Sequence, residues 1–234
     1  MILLNTRPLE YAAQFAADFA ASGLLIINSP VLRFEPVGGW PASPARYDAL
    51  IFTSPAAPHL RPADAGWNSL PVYAVGPATA AAARAAGFED VRQTGFTAAE
   101  LASALRHAPF SRALYPSGAD VTIDLSALFP GRIERAVVFR AVTLGALSAP
   151  AHAVLNTRTH VYAPLFSRRS AQAFAEALKL LNDLRAEVTA VGISAAVLDV
   201  KGAPWTNAIA ASTPTSAAMA AVLADHLSLR RLAA

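Results

Sequence analysis

Short apolar runs alternate with helix-forming stretches along the whole 234-residue chain, and the alternation passes twice through the same order. Short apolar strands separated by helices bury both of their faces in a parallel sheet covered by helices, so the expected class is α/β. Met1 to Asn5 reads as a first strand ending in Thr6-Arg7-Pro8, and Arg112 to Tyr115 as a later one ending in Pro116-Ser117-Gly118. Pro30 to Pro36 is echoed by Arg135 to Val142. Leu50 to Thr53 leads into Ser54 as His160 to Phe166 leads into Ser167. Val72 to Thr79 is matched by Val188 to Ala195, and Thr97 by Thr213-Pro214-Thr215. This order, A-B-A′-B′, predicts two doubly wound α/β units. It leaves open whether A folds with B or with B′. Either pairing predicts a bilobed molecule with a cleft.

Finer features follow the same grammar. Glu10 to Ala21 has helical periodicity and Gly23 suits its C-cap. Leu24 to Leu32 reads as one second strand. Phe34 to Ala45, with Gly38-Gly39 and three prolines, has linker composition. Asp48 to Thr53 and Pro71 to Gly76 read as strands, and Pro77 to Ala86 as a helix closed by Gly87. Thr97 and Glu100 form a capping box ahead of Leu101 and Leu105. Pro214 is expected in the first turn of the last helix.

Composition narrows the function. Hydrophobic residues make up 54% and charged residues 15%, enough for buried cores. No apolar run reaches the ~18–20 residues of a membrane span before Arg, Asp, Pro or Gly interrupts it. Arg7, Glu10 and Asp18 break any signal-peptide core. The absence of cysteine excludes disulfides, thiolate metal sites and thiol catalysis. The expected address is the cytoplasm, and nothing demands more than a monomer. The net charge is +3 and the pI about 9.6, but the only adjacent basic pairs are Arg168–Arg169 and Arg230–Arg231. That pattern argues against nucleic acid and suits an acidic small molecule.

In parallel α/β sheets, ligands sit at the carboxyl ends of the strands. The candidate binding residues are therefore Thr6, Arg7, Thr53, Ser54, Gly76, Thr79, Ser117, Gly118, Ser167, Arg168, Gly192 and Ser194. They are small hydroxyls, glycines and two arginines, with no acid–base pair among them. The Gly76-Pro77-Ala78-Thr79 and Gly192-Ile193-Ser194-Ala195 turns would offer N–H groups at helix N-termini to an anion; the plainer reading is that Thr79 and Ser194 cap those helices. Arg7 suits a substrate carboxylate or a surface or domain-bridging ion pair, and Arg168 and Arg169 have the same two readings. His59, His107, His152, His160 and His226 lack metal-ligand spacing and read as structural or surface residues. There is no P-loop, no G-x-G-x-x-G and no nucleophile elbow around Ser54, and no cofactor is expected.

Together these segments resemble the uroporphyrinogen-III synthase family. The resemblance runs through Asn5-Thr6-Arg7-Pro8, Pro30-Val31, Tyr47 to Ser54, Val72 to Thr79, Tyr115 to Gly118, Val137 to Arg140, Phe166-Ser167, Ala190-Val191-Gly192 and Thr213-Pro214-Thr215. It implies two flavodoxin-like domains joined by a two-strand linker. One would comprise 1–34 with 156–234 and the other 47–140, with 35–46 and 141–155 as linker strands. It also implies a cyclising lyase of haem biosynthesis, a substrate, hydroxymethylbilane, with eight carboxylates, and hand-over from hydroxymethylbilane synthase. That substrate closes spontaneously to the wrong isomer. The work is then to hold a flexible polyanion in one conformation, through a hinge that admits it and closes on it. The chain departs from the pattern at two places. Phe139 stands where many members carry a tyrosine proposed to help the hydroxyl leave; backbone donors, Ser194 or an ordered water would then aid departure, with Tyr115 as a further candidate. Ala195 stands where a threonine is common. A non-catalytic binder of acidic ligands fits the same fold. A flavodoxin-like FMN module fits less well, because Thr6-Arg7-Pro8 is a poor phosphate loop.

Overall fold

The computed structural model describes residues 1–63 and 65–232; residue 64 and the last two residues of the expected 156–234 segment lie outside it. In chain order the elements are β1 (Ile2–Asn5), α1 (Ala12–Asp18), β2 (Leu25–Asn28), β3 (Leu32–Pro36), β4 (Ala49–Phe52), β5 (Val72–Ala74), α2 (Gly76–Ala85), β6 (Val91–Gln93) and α3 (Ala98–Leu105). They continue with β7 (Ala113–Gly118), α4 (Leu125–Leu128), β8 (Ile133–Thr143), α5 (Ala149–Leu155), β9 (His160–Leu165), α6 (Arg168–Lys179), β10 (Glu187–Gly192), α7 (Ala195–Leu198), β11 (Asn207–Ala210) and α8 (Ser216–Leu232). The chain divides into two compact units, one built from residues 1–33 and the chain from 142 onward, the other from 34–141.

The first unit holds a parallel sheet in the order β11-β10-β9-β1-β2. Every residue of β9 is buried, because both faces of the sheet are covered. Val161, Ala163 and Leu165 pack on one side with Phe174 and Leu178 of α6. Tyr162 packs on the other with Phe15, Met219 and Leu223. The spacing of Ala171, Phe174 and Leu178 is that of a single helix stripe. Fully burying a side chain such as Phe174 is worth about 1.5–3 kcal/mol.

At the amino end of β9, His160 is buried among charges. Its Nδ1 lies 2.9 Å from Glu187, and its Nε2 lies 2.9 Å from Thr189 Oγ1 and 2.9 Å from Arg230. A guanidinium only donates, so Nε2 holds the lone pair and Nδ1 carries the proton. Burial first, then Arg230, pulls the His160 pKa below its ordinary value. His226, also pulled down by burial, behaves alike. Below a pH of about 6.5 the unfolded histidines take protons that the folded ones resist, so stability falls as the pH falls through that range. Thermal melts from pH 7.5 to 5.5 should show the decline, and His160→Gln should flatten it. An unchanged slope in that variant would contradict the assignment.

The second unit holds the sheet β3-β8-β7-β4-β5-β6. Leu50 and Phe52 of β4 face a core with Trp67 and Phe88, and Ala49 and Ile51 face one with Leu101 and Tyr115. At the amino end, Asp48 accepts from the N–H groups of Ser111 and Arg112 at 2.7 and 2.9 Å. Tyr47 donates to Glu134 at 2.9 Å. The Tyr47-Asp48 pair that opens this strand motif is thus structural. β7 and β8 run parallel with a register shift: Ser117 pairs with Val137, but Gly118 pairs with Phe139.

Several expectations need correction. Leu24 to Leu32 is not one strand; Ser29-Pro30-Val31 separates β2 from β3, where Pro30 has no N–H to give a ladder. The linker expected from Phe34 begins inside β3. Residues 141–155 contain the end of β8 and the helix α5, whose Ala151 and Leu155 are buried, and not a linker strand. The helix expected over Glu10 to Ala21 is α1 flanked by two 3-10 turns, although Gly23 does close it at φ 65°. Pro214 precedes the last helix; Thr215 accepts from the Ala218 N–H at 3.1 Å as its cap. Thr97 accepts from Glu100 N as expected, but the Glu100 carboxylate reaches Phe96 N, one residue beyond the cap.

Candidate functional site

In the first unit the carboxyl end of β1 carries the most distinctive group. The Arg7 guanidinium lies between two rings, 4.4 Å from the centroid of Tyr11 and 4.3 Å from that of Phe166. Among the described residues no carboxylate forms an ion pair with it, so the surface ion pair that the sequence allows is not made. Burial pulls its pKa below the ordinary value, but a guanidinium stays charged. A half-buried cation held flat by stacking, with its in-plane donors unspent on any acid, has the chemistry to pair with a carboxylate. The backbone beneath it is rigid. Asn5, fully buried, donates to Asn28 at 2.8 Å and accepts from Arg7 N at 3.1 Å. Nothing local in the sequence signals that clamp: Asn5 is there the last residue of a strand and the first of the Asn5-Thr6-Arg7-Pro8 segment.

The other expected groups of this unit are more committed. Thr6 is 1% exposed and donates to the Pro164 carbonyl, which spends its hydroxyl. Ser167 and Ser170 make a complete capping box for α6. Arg168 is exposed and reaches the Asp199 carbonyl at 3.3 Å. Gly192 is required by packing, because a Cβ there would lie 2.6 Å from Leu198 and 2.8 Å from the Ser194 carbonyl. Ser194 precedes α7 but makes no capping bond, and α7 is four residues long. Such a short helix has little dipole to offer an anion.

In the second unit the ends of β4 and β7 meet. Thr53 Oγ1 and the Tyr115 hydroxyl are 2.9 Å apart. Burial pushes the Tyr115 pKa up, so the phenol stays protonated. Ser54 accepts from Ala56 N at 3.3 Å in a local turn. Ser117, buried, accepts from Arg135 Nε at 2.9 Å. Arg135 also donates to Asp124 at 3.0 Å and to the carbonyls of Gly118 and Ala119. It binds the end of β7 to β8 and was not expected from the sequence, where Arg135 was the first residue of an apolar run. The hydrogen bond of Ser126, then burial against it and the Arg135 bond, leave the Asp124 pKa below its usual value. Gly118 lies against the Phe139 ring, 2.8 Å from where a Cβ would stand. Phe139 is 6% exposed and meets Phe34 edge-on at 5.0 Å. It is a packing residue with no proton to give.

The α2 turn differs from expectation. Gly76 has φ 68° and donates its N–H to the Gly95 carbonyl, and Pro77 has none. Ala78 therefore carries the remaining first-turn donor. Thr79 lies inside the helix, buried, and does not cap it; Val75 occupies that position.

The sheets and strand ends define an α/β protein with mainly parallel sheets, whose strand-end groups are mostly small neutral donors beside the stacked Arg7 and the exposed Arg168. Residues 13–221 match the family model described as Uroporphyrinogen-III synthase HemD. The chain belongs to the uroporphyrinogen-III synthase family. Among solved structures it is similar to the uroporphyrinogen-III synthetase of Helicobacter pylori 26695, at 19% identity and TM-score 0.64, covering 98% of this chain and 99% of that one. A mutant uroporphyrinogen III synthase from the extremely thermophilic bacterium Thermus thermophilus follows at 16% identity and TM-score 0.49, with 99% and 100% covered. No curated protein matches the sequence. Among the described residues no helix is long and apolar enough to cross a membrane.

Proposed function

We propose that this chain closes hydroxymethylbilane to uroporphyrinogen III, with loss of water and inversion of ring D through a spiro intermediate. Family membership over residues 13–221 carries the reading. The strand ends suit it chemically. The hydroxyl leaves the terminal methylene as water, taking one proton, and leaves an azafulvene cation. The substituted α-carbon of ring D attacks that carbon to form the spiro centre. Bond cleavage and reclosure then invert the ring, and the proton is returned when aromaticity is restored. Positioning dominates such a path, and neutral donors with one fixed cation supply it.

Arg7 takes a substrate carboxylate. Thr53 helps the hydroxyl to depart: with Tyr115 donating to Thr53 Oγ1, the Thr53 O–H is free to turn toward the leaving group. Phe139 does not serve this step. The product isomer decides the function. Purified protein given hydroxymethylbilane should yield the type III ring, and formation of the type I ring alone would refute the reading. Tyr115→Phe should lower kcat about three- to tenfold, the worth of one hydrogen bond, with KM little changed. A wild-type kcat would remove Tyr115 from the step.

We place the reaction in the cytoplasm and in a monomer, which suits a chain without cysteine. Because the substrate cyclises by itself, a short-lived hand-over from hydroxymethylbilane synthase favours the correct isomer.

A further inference from the structure

At the amino ends of β9 and β10, on the edge of the first unit's sheet opposite Arg7, lies an open basin of about 410 Å³. Arg158, Thr159, His160, Arg185, Glu187 and Arg230 line it. The volume falls in the range of small-ligand sites. Its charge is unbalanced. Arg230 is spent in part on Glu187, at 3.1 Å, and on His160. Arg158 and Arg185 are both exposed, and among the described residues neither has an ion pair. With His160 neutral, the basin carries three guanidinium charges against one carboxylate.

The backbone forces these cations together. The N–H groups of Arg185 and Ala186 both donate to the Leu155 carbonyl, at 2.9 and 3.0 Å. Glu187 N donates to the Thr159 carbonyl at 2.9 Å, and Thr159 N to the Thr157 carbonyl at 2.8 Å. The segment bearing Arg158 is thereby pinned beside the one bearing Arg185. Like charges held side by side repel, and a shared anion relieves the repulsion. Arg230 adds a guanidinium oriented from α8, fixed by Glu187 and by the His160 lone pair. We propose that this basin is a second, non-catalytic binding site for a small multiply charged oxyanion, a phosphate or a polycarboxylate, held by Arg158, Arg185 and Arg230. The proposal is independent of the ring-closing reaction.

Isothermal titration of the full chain at constant ionic strength tests it, with inorganic phosphate in one arm and propane-1,2,3-tricarboxylate in the other. One saturable site is expected for at least one probe. The tighter probe identifies the class, phosphoryl or carboxylate. Arg158→Gln with Arg185→Gln should weaken binding at least tenfold, because two charge-assisted contacts are lost. Both residues are exposed, so the variant should keep its circular dichroism and its ring-closing activity. Lysine at both positions should retain most of the affinity. Arg7→Gln, tested in parallel, should leave this site unchanged. Absence of saturable binding by either probe would overturn the proposal, as would binding that survives the double substitution or that depends on Arg7 instead.

Discussion

Arg7→Gln is expected to lower kcat/KM for hydroxymethylbilane by about ten- to a hundredfold while the melting temperature falls by only a few degrees. A hydrogen bond to a charged partner is worth about 1.5–3 kcal/mol, and 1.4 kcal/mol is a factor of ten. Among the described residues the guanidinium makes no ion pair or hydrogen bond with a protein carboxylate and feels only a longer-range attraction to Asp18, so removing its charge strands no bonded partner inside the fold. What the fold does lose is stacking on two rings, Tyr11 and Phe166, worth about 1–2 kcal/mol together at ~0.5–1 kcal/mol per contact, or a few degrees of melting temperature. Arg7→Lys should recover part of the loss, because the charge returns without the flat fork. Steady-state kinetics with product-isomer analysis separates the outcomes. A variant with parental kcat/KM would show that Arg7 binds no carboxylate in the rate-limiting complex. A variant whose rate falls together with a melting-temperature drop of more than about ten degrees would make Arg7 a structural residue.

Gly39→Ala is expected to destabilise the chain by about 3 kcal/mol or more, against about 1–2 kcal/mol for Gly38→Ala. Both glycines have positive φ, 82° at Gly38 and 91° at Gly39, which L residues adopt at a cost. Only Gly39 meets an obstacle. A Cβ there would lie 2.1 Å from the Val137 carbonyl oxygen, whereas nothing stands within 4 Å of one at Gly38. That oxygen belongs to β8, which accepts from Val37 N at the neighbouring Val138 carbonyl. The strand cannot retreat without losing that bond. Denaturant unfolding of the two single variants measures the difference. Equal losses at the two positions would show that the approach of Gly39 to β8 is not needed for stability.

This pair of glycines shows how far a sequence can be read. Gly38-Gly39 identifies a non-helical, non-strand segment from composition alone, because positive φ is open to glycine and closed to most other residues. Which of the two is indispensable depends on a strand nearly a hundred residues later. The carboxyl-end rule likewise brought Thr53, Ser54, Ser117 and Gly118 to strand ends correctly. It could not say that Ser117 would be spent on Arg135, or that Thr53 would meet Tyr115. Thr6 illustrates the same limit, since its hydroxyl is spent on the Pro164 carbonyl, a strand neighbour distant in sequence.

Local chemistry along the chain determined the class of this protein. Apolar runs too short for helices, separated by amphipathic stretches, must form parallel sheets with covered faces. Strand-end residues free of acid–base pairs left positioning as the available chemistry. Those properties depend on near neighbours, so they survive without coordinates. Tertiary structure alone decided which hydroxyls remain available, that Arg7 is stacked without a carboxylate, and that Phe139 faces Gly118. That last placement follows from the register shift between β7 and β8. A one-residue slip exchanges the faces of a strand without changing its composition.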